Sequence, residues 1–182
     1  MKRISIALFV LFAFLYVLPL GFRPLTIPDE TRYGEIPREM LASGDWVVPR
    51  LNGLKYFEKP PFGYWANAVS MVTFGENAFA LRIPSALSVI ISAFMIFLLV
   101  RRFSPKGSAS ALAPAIFLTC PLVMAIGHIS LLDSLLSMLL TGAMVSFFFA
   151  HMADKMRRKV LFLALMGVFC GLAFLTKGFL AF

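Results

Sequence analysis

Residues able to do chemistry gather in the polar interval from Pro28 to Trp65, in two dense clusters: Pro28-Asp29-Glu30-Thr31-Arg32-Tyr33 and Tyr56-Phe57-Glu58-Lys59-Pro60-Pro61. A carboxylate there can act as a base or orient an acceptor, and cations can bind a phosphate. Asp133 and Lys177 follow much later, each at the edge of an apolar run. A link between two membrane spans needs only a handful of residues, so a loop this long and this charged points to chemistry rather than connectivity.

The elements that must position these groups are membrane helices. Hydrophobic residues make up 60% of the 182 positions and charged ones only 14%, which excludes a soluble domain of this size. Five crossings are expected: Ile4 to Phe22, Ile83 to Val100, Ala109 to Ile126, Leu132 to Met152 and Val160 to Thr176. The first follows Lys2 and Arg3 and lacks a small-x-small cleavage site, so it reads as a retained anchor. Nine basic residues (Lys2, Arg3, Arg101, Arg102, Lys106, Lys155, Arg157, Arg158 and Lys159) fall on one side, opposed only by Asp154. By the positive-inside rule that side, with the N-terminus, is cytoplasmic. The interval from Arg23 to Arg82 lies opposite, its seven basic and seven acidic residues cancelling, so the +8 net charge reports topology and calls for no nucleic acid. Cys120 and Cys170 sit in apolar runs and suggest neither a disulfide nor a Cys-based metal site.

Within the outer loop, Ile36, Met40 and Leu41 recur near helical spacing and predict a short juxtamembrane helix, broken or restarted at Pro37 and ended at Gly44. Asn52-Gly53 marks a turn, and Phe62 to Phe74 is an interfacial or re-entrant segment opened by Pro60-Pro61. In this topology Asp29, Glu58, Lys59, Asp133 and Lys177 converge on one face of the membrane. Each also has an ordinary structural use. Asp29-Glu30 with Thr31 can serve a helix N-terminus, Glu58-Lys59 can be a solvated pair, and Asp133 is well placed as an N-cap. Lys177-Gly178 is a common helix ending, Arg82 can anchor a span at the interface, and His128 is a polar turn residue. Tyr64 and Trp65 fit an aromatic belt. Taken as a set, the groups suit an enzyme that handles a lipid-linked phosphate at the outer leaflet. A transporter or flippase, which also needs charges in a wet cavity, is the competing class.

The order Pro28-Asp29-Glu30-x-Arg32-Tyr33-x-Glu35-Ile36-x-Arg38-Glu39-Met40, then Gly44-Asp45-Trp46, Tyr56-Phe57-Glu58-Lys59-Pro60-Pro61-x-x-Tyr64-Trp65 and Ala80-Leu81-Arg82-x-Pro84-Ser85-Ala86 resembles the 4-amino-4-deoxy-L-arabinose lipid A transferases. These form part of the protein O-mannosyltransferase-like GT-C glycosyltransferases, and Asp133-Ser134 and Leu175-x-Lys177-Gly178 continue the likeness. The resemblance implies an all-α integral membrane protein of the bacterial inner membrane, with periplasmic juxtamembrane helices in its first outer loop. The activity it implies is transfer of 4-amino-4-deoxy-L-arabinose from undecaprenyl phosphate to a phosphate of lipid A. It makes Asp29 the catalytic carboxylate and Glu58 a ligand of a divalent metal, zinc. Lys59 becomes a donor-phosphate residue, with Arg32, Tyr33, Tyr56, Asp133 and Lys177 among the substrate-binding groups. A second metal ligand, a histidine, is expected beyond Phe182, since residues 1–182 match the N-terminal part of a longer transferase. Other polyprenyl-phosphate-sugar transferases with protein or glycan acceptors, and a noncatalytic membrane fragment, stay open.

Single cysteines placed at 29 and at 133, with Cys120 and Cys170 replaced by serine, should label with a membrane-impermeant maleimide from the same side. Labelling from opposite sides would dissolve the shared pocket.

Overall fold

The computed structural model describes residues 11–12, 14–104 and 109–181. Residues 4–10 and 13 of the first expected span, with Lys2, Arg3 and Lys106, therefore lie outside the described residues. Residues 14–17 are helical and run into a 3-10 turn at Leu18–Gly21. Helix α1 covers Asp29–Ser43, the strands β1 and β2 cover Arg50–Leu51 and Leu54–Lys55, and α2 covers Phe62–Phe74. Then come α3 (Ala78–Phe103), α4 (Ala109–Thr119), α5 (Pro121–Gly127), α6 (Leu132–His151) and α7 (Met156–Lys177), closed by a 3-10 turn at Gly178–Ala181.

Among the described residues, α3, α6 and α7 are each long and apolar enough to cross a bilayer. The expected span from Ala109 to Ile126 is not a straight helix. It is α4 and α5, bent by 66° at Cys120. Pro121 has no N–H and disfavours helical backbone in the residue before it, and Cys120 is accordingly extended (φ −64°, ψ 125°). Helix α6 packs against both α3 and α7. Gly142 makes the second contact close: a Cβ there would lie 2.8 Å from the Phe169 ring.

The loop elements form a platform at one end of this bundle. Helix α1 packs on α2, and α2 on α3. With 13 residues, α2 is about 20 Å long, too short for the roughly 30 Å hydrocarbon layer, in keeping with an interfacial segment. The hairpin pairs Arg50 with Lys55 and Leu51 with Leu54 across Asn52 (φ 53°) and Gly53 (φ 76°), the two left-handed positions that the Asn-Gly pair suits. Glu39 accepts a hydrogen bond from Gly53 N at 3.1 Å, and Trp65 Nε1 donates to the Trp46 carbonyl at 2.7 Å, fixing the hairpin to both helices.

Pro37 does not break α1, contrary to the sequence expectation; the helix continues through it to Gly44, whose φ of 71° ends it. A proline inside a helix orphans the carbonyl four residues earlier, here that of Tyr33. Asn67 Nδ2 of α2 donates to that carbonyl at 3.2 Å. Pro84 leaves the Ala80 carbonyl of α3 in the same position, and Ser70 Oγ, one turn beyond Asn67, donates to it. One polar face of α2 thus repairs the helices on both sides, so the carbonyl freed by each proline has a partner.

Arg82 is not an interfacial anchor. It is 1% exposed, within α3, and bidentate to a fully buried Glu30: Nε to Oε1 at 2.7 Å and Nη2 to Oε2 at 2.8 Å. Its other three N–H groups donate to the carbonyls of Leu20, Arg23 and Pro24, at 2.7–2.8 Å, so all five guanidinium donors are used. Glu30 in turn accepts from Thr26 N at 2.8 Å and Ser130 N at 2.9 Å. This pair ties the end of the first hydrophobic segment, the start of α1, helix α3 and the turn before α6 into one node.

Burial by itself raises the Glu30 pKa, but the hydrogen bond from Arg82 and those from Ser130 and Thr26 outweigh it and hold the carboxyl down to about 2. A carboxyl lowered on folding adds stability that is fully present above the ordinary carboxylate pKa and is lost as pH falls toward the folded value. The melting temperature of the reconstituted protein should therefore fall from about pH 5 to pH 2, and Glu30→Gln should flatten that portion of the profile. Glu30→Gln and Arg82→Met should each cost about 3–5 kcal/mol, since each leaves half of a buried pair, and the double variant should cost less than the sum. Additive losses in thermal unfolding would show that the two groups do not act as a pair.

Candidate active site at the membrane surface

The node delivers Asp29 and Asp133 to one place, because Asp29 is the neighbour of Glu30 and Asp133 follows Ser130 by three residues. Arg32, one turn along α1 from Asp29, donates Nη2 to Asp29 Oδ1 at 2.8 Å and reaches across to Glu58 Oε2 with Nη1 at 3.5 Å. The Tyr56 hydroxyl donates to the same Glu58 oxygen, and Lys59 Nζ lies 3.7 Å from Glu58 Oε1. Asp29 and Glu58, each half exposed, present carboxylate to solvent while Arg32 and Lys59 are partly covered.

Tyr33 is the floor of the cluster. Its ring carries the Arg32 guanidinium at 5.2 Å and lies 6.2 Å from the Tyr64 ring. Burial raises the Tyr33 phenol pKa, with the Arg32 and Lys177 cations pulling against it and Asp29 adding to it. Lys177 is therefore electrostatically linked to the α1 end of the site. Its Nζ pairs with Asp133 Oδ1 at 2.5 Å. Leu132, beside Asp133, belongs to the same buried cluster as Tyr33, Ile36, Met40 and Tyr64. Gly63 eases this approach: a Cβ there would sit 2.1 Å from Leu132 Cδ2, so any other residue would force the Leu132 side chain to move.

The structure brings all eight sequence-derived site residues, Asp29, Arg32, Tyr33, Tyr56, Glu58, Lys59, Asp133 and Lys177, to this one end of the bundle. Asp133 is not an N-cap. Leu131 holds that position without a side-chain cap, and Asp133 in the first turn of α6 is committed to Lys177. Thr31 does not cap α1 either; its hydroxyl donates to the Pro28 carbonyl. Lys177 does end its helix against Gly178 (φ 66°), so one residue serves both the helix end and the ion pair. His128 remains a structural turn residue, stacked on Tyr16 with Nδ1 2.7 Å from the Met124 carbonyl. Sequence reasoning passed over Glu30, Arg82, Asn67 and Ser130 as site supports. The available signal was a pair of opposite charges at the edge of apolar runs, where an unpaired charge is costly.

The residues present do not by themselves make a metal centre. Among the described residues no three His, Cys, Asp or Glu side chains gather in a ligating group. Glu58 offers one carboxylate, with a phenol on one oxygen and two cations within 3.7 Å, a setting of donors rather than of further ligands.

The family model for dolichyl-phosphate-mannose-protein mannosyltransferases matches residues 2–182, and the chain belongs to that family. Curated relatives named undecaprenyl phosphate-alpha-4-amino-4-deoxy-L-arabinose arabinosyl transferase include one from Shewanella sediminis, 47% identical over 99% of this chain and 33% of its own. Another, from Edwardsiella ictaluri, is 45% identical over 100% of this chain and 33% of its own. The crystal structures of ArnT from Cupriavidus metallidurans, in the apo state and bound to undecaprenyl phosphate, superpose with a TM-score of 0.90 at 34% identity, over 97% of this chain and 33% of that one. The chain thus has the all-α GT-C membrane fold, as a multi-pass membrane protein, and spans about a third of the length of the relatives it matches.

The Glu58 carboxyl is held below its usual range by the Tyr56 hydroxyl first, with Arg32 and Lys59 adding and slight burial opposing. Tyr56→Phe should raise the Glu58 pKa toward the ordinary carboxylate range, read by side-chain carboxyl NMR on the labelled protein in nanodiscs. An unmoved pKa would assign the depression to the two cations instead.

Proposed function

We propose that this chain carries the catalytic loop of a periplasmic transferase that moves 4-amino-4-deoxy-L-arabinose from undecaprenyl phosphate to a phosphate of lipid A in the bacterial inner membrane. The observation that carries the proposal is Arg32 bridging Asp29 and Glu58, with Lys59 beside them, at the end of an apolar helix bundle. A polyprenyl phosphate keeps its tail in hydrocarbon and its anionic head at that level, where guanidinium and ammonium groups neutralise it. The relatives' names and the undecaprenyl-phosphate complex of the Cupriavidus metallidurans protein support the same donor.

The reaction is a displacement at the anomeric carbon. The acceptor oxygen brings the electron pair of the new C–O bond, and the old C–O pair leaves on the polyprenyl phosphate, whose charge Arg32 and Lys59 stabilise. A lipid A phosphate oxygen is already anionic near neutral pH, so Asp29 is not required to remove a proton. It orients the reacting groups and stabilises positive charge developing on the sugar. Asp133 and Lys177 form a neutral pair beside the sugar. The resemblance offers Glu58 as a zinc ligand, but its phenol and cation neighbours do not fit that role, and no step above depends on a metal. A hydroxyl acceptor is the alternative reading, which the family model's protein mannosyltransferase description favours; there Asp29 would serve as base.

A chimera in which this chain replaces the matching third of the Shewanella sediminis relative should add the aminopentose to lipid A, read by mass spectrometry, in a host lacking its own transferase. Asp29→Asn in that chimera should lower transfer at least 100-fold with normal membrane insertion. Near-normal transfer by the variant would remove Asp29 from the mechanism.

A further inference from the structure

Two side-chain donors stand out against neighbours that are well satisfied, among them the carbonyls freed by Pro37 and Pro84 and all five donors of Arg82. Among the described residues, the Tyr64 hydroxyl and Arg32 Nε are the buried side-chain polar atoms without a hydrogen-bond partner. Both belong to the same site. Tyr64 is 0% exposed, its ring packed with Tyr33, Ile36, Met40 and Leu132. Its phenol interacts electrostatically with Tyr33, Tyr56, Arg32 and Glu58.

A phenylalanine would fill that ring site equally well and would spare the desolvation of an unpaired hydroxyl, so packing gives no reason for a tyrosine. The nearby carboxylates do not take up the slack: Glu58 accepts from Tyr56 and from Arg32 Nη1, Asp29 from Arg32 Nη2, and neither bonds the Tyr64 hydroxyl or Arg32 Nε. Burial pushes the Tyr64 phenol well above the usual tyrosine range, so it stays protonated and can donate. Guanidinium Nε has only a proton to give. Two fixed donors, one on a cation, call for an oxygen acceptor that is itself anionic, since charge-assisted bonds of that kind are about twice as strong as neutral ones.

We infer that Tyr64 is a substrate-binding residue whose hydroxyl, with Arg32 Nε, donates to a phosphate oxygen of the lipid-linked donor. The assignment rests on the donor class proposed above. It makes the unpaired hydroxyl a cost in folding that is recovered when the headgroup binds, a trade found where site function opposes stability.

Tyr64→Phe tests it, with the whole chain reconstituted in nanodiscs and titrated with undecaprenyl phosphate. The Kd should rise at least tenfold, while the melting temperature without lipid stays equal or increases. Unchanged affinity overturns the inference, and so does a lowered melting temperature, which would give the hydroxyl a structural partner. Inorganic phosphate that competes fully, with the same loss on Tyr64→Phe, would replace the lipid phosphate as ligand and overturn it too. If the unsubstituted chain binds undecaprenyl phosphate no better than undecaprenol, the proposed donor itself falls, a result distinct from equal binding by the two proteins.

Discussion

The buried pair between Glu30 and Arg82 is the constraint on which the rest of this structure depends. Removing two charges from water is expensive, and a bidentate contact alone does not guarantee a net gain. What makes the pair tenable is that each remaining polar atom also finds a partner: three backbone carbonyls for Arg82, and two backbone N–H groups for Glu30. The result is geometric more than energetic. Chain segments separated by as many as 100 residues share one hydrogen-bonded node, and two of the three carboxylates in the site, Asp29 and Asp133, are carried on it.

Helix α2 supplies a second kind of order. It is too short to cross hydrocarbon and lies between α1 and α3, each with an internal proline. Asn67 and Ser70 return hydrogen bonds to the carbonyls those prolines leave behind, and Gly63 on the same helix lets Leu132 approach. Deep in a low-dielectric setting an orphaned carbonyl costs more than in water, so the three small or polar residues of α2 are matched to defects in its neighbours. These contacts hold α1, α2 and α3 together as the platform under the charged loop.

On this platform the charges are arranged as a chain of opposite signs. Asp29, Arg32 and Glu58 alternate, Lys59 extends the series, and the Asp133–Lys177 pair is linked to it electrostatically through Tyr33. The counter-charges of these cations, Asp29 and Glu58, are half exposed, so an incoming anion could compete for Arg32 and Lys59 without first breaking a buried pair. Fully buried charge holds the scaffold and partly exposed charge lines its surface, and the division follows from the cost of desolvation.

Much of this was legible in the sequence. The apolar runs, the 13-residue interfacial segment, the Asn-Gly turn and the helix stop at Gly44 all follow from local composition and backbone preference, and the order of motifs marked every residue of the charged cluster. The sequence could not tell a capping Asp133 from a paired one, because pairing with Lys177 spans 44 residues. It read Pro37 as a break, since the repair of a freed carbonyl depends on a neighbouring helix, and it read the fourth and fifth helices as one straight span although Pro121 carried the local signal for the bend. Local preference and hydropathy determined which segments are helices and which charges sit outside the bilayer. Only the tertiary structure decided which charges are buried as a scaffold, because a burial penalty is offset only by partners that folding brings from elsewhere in the chain.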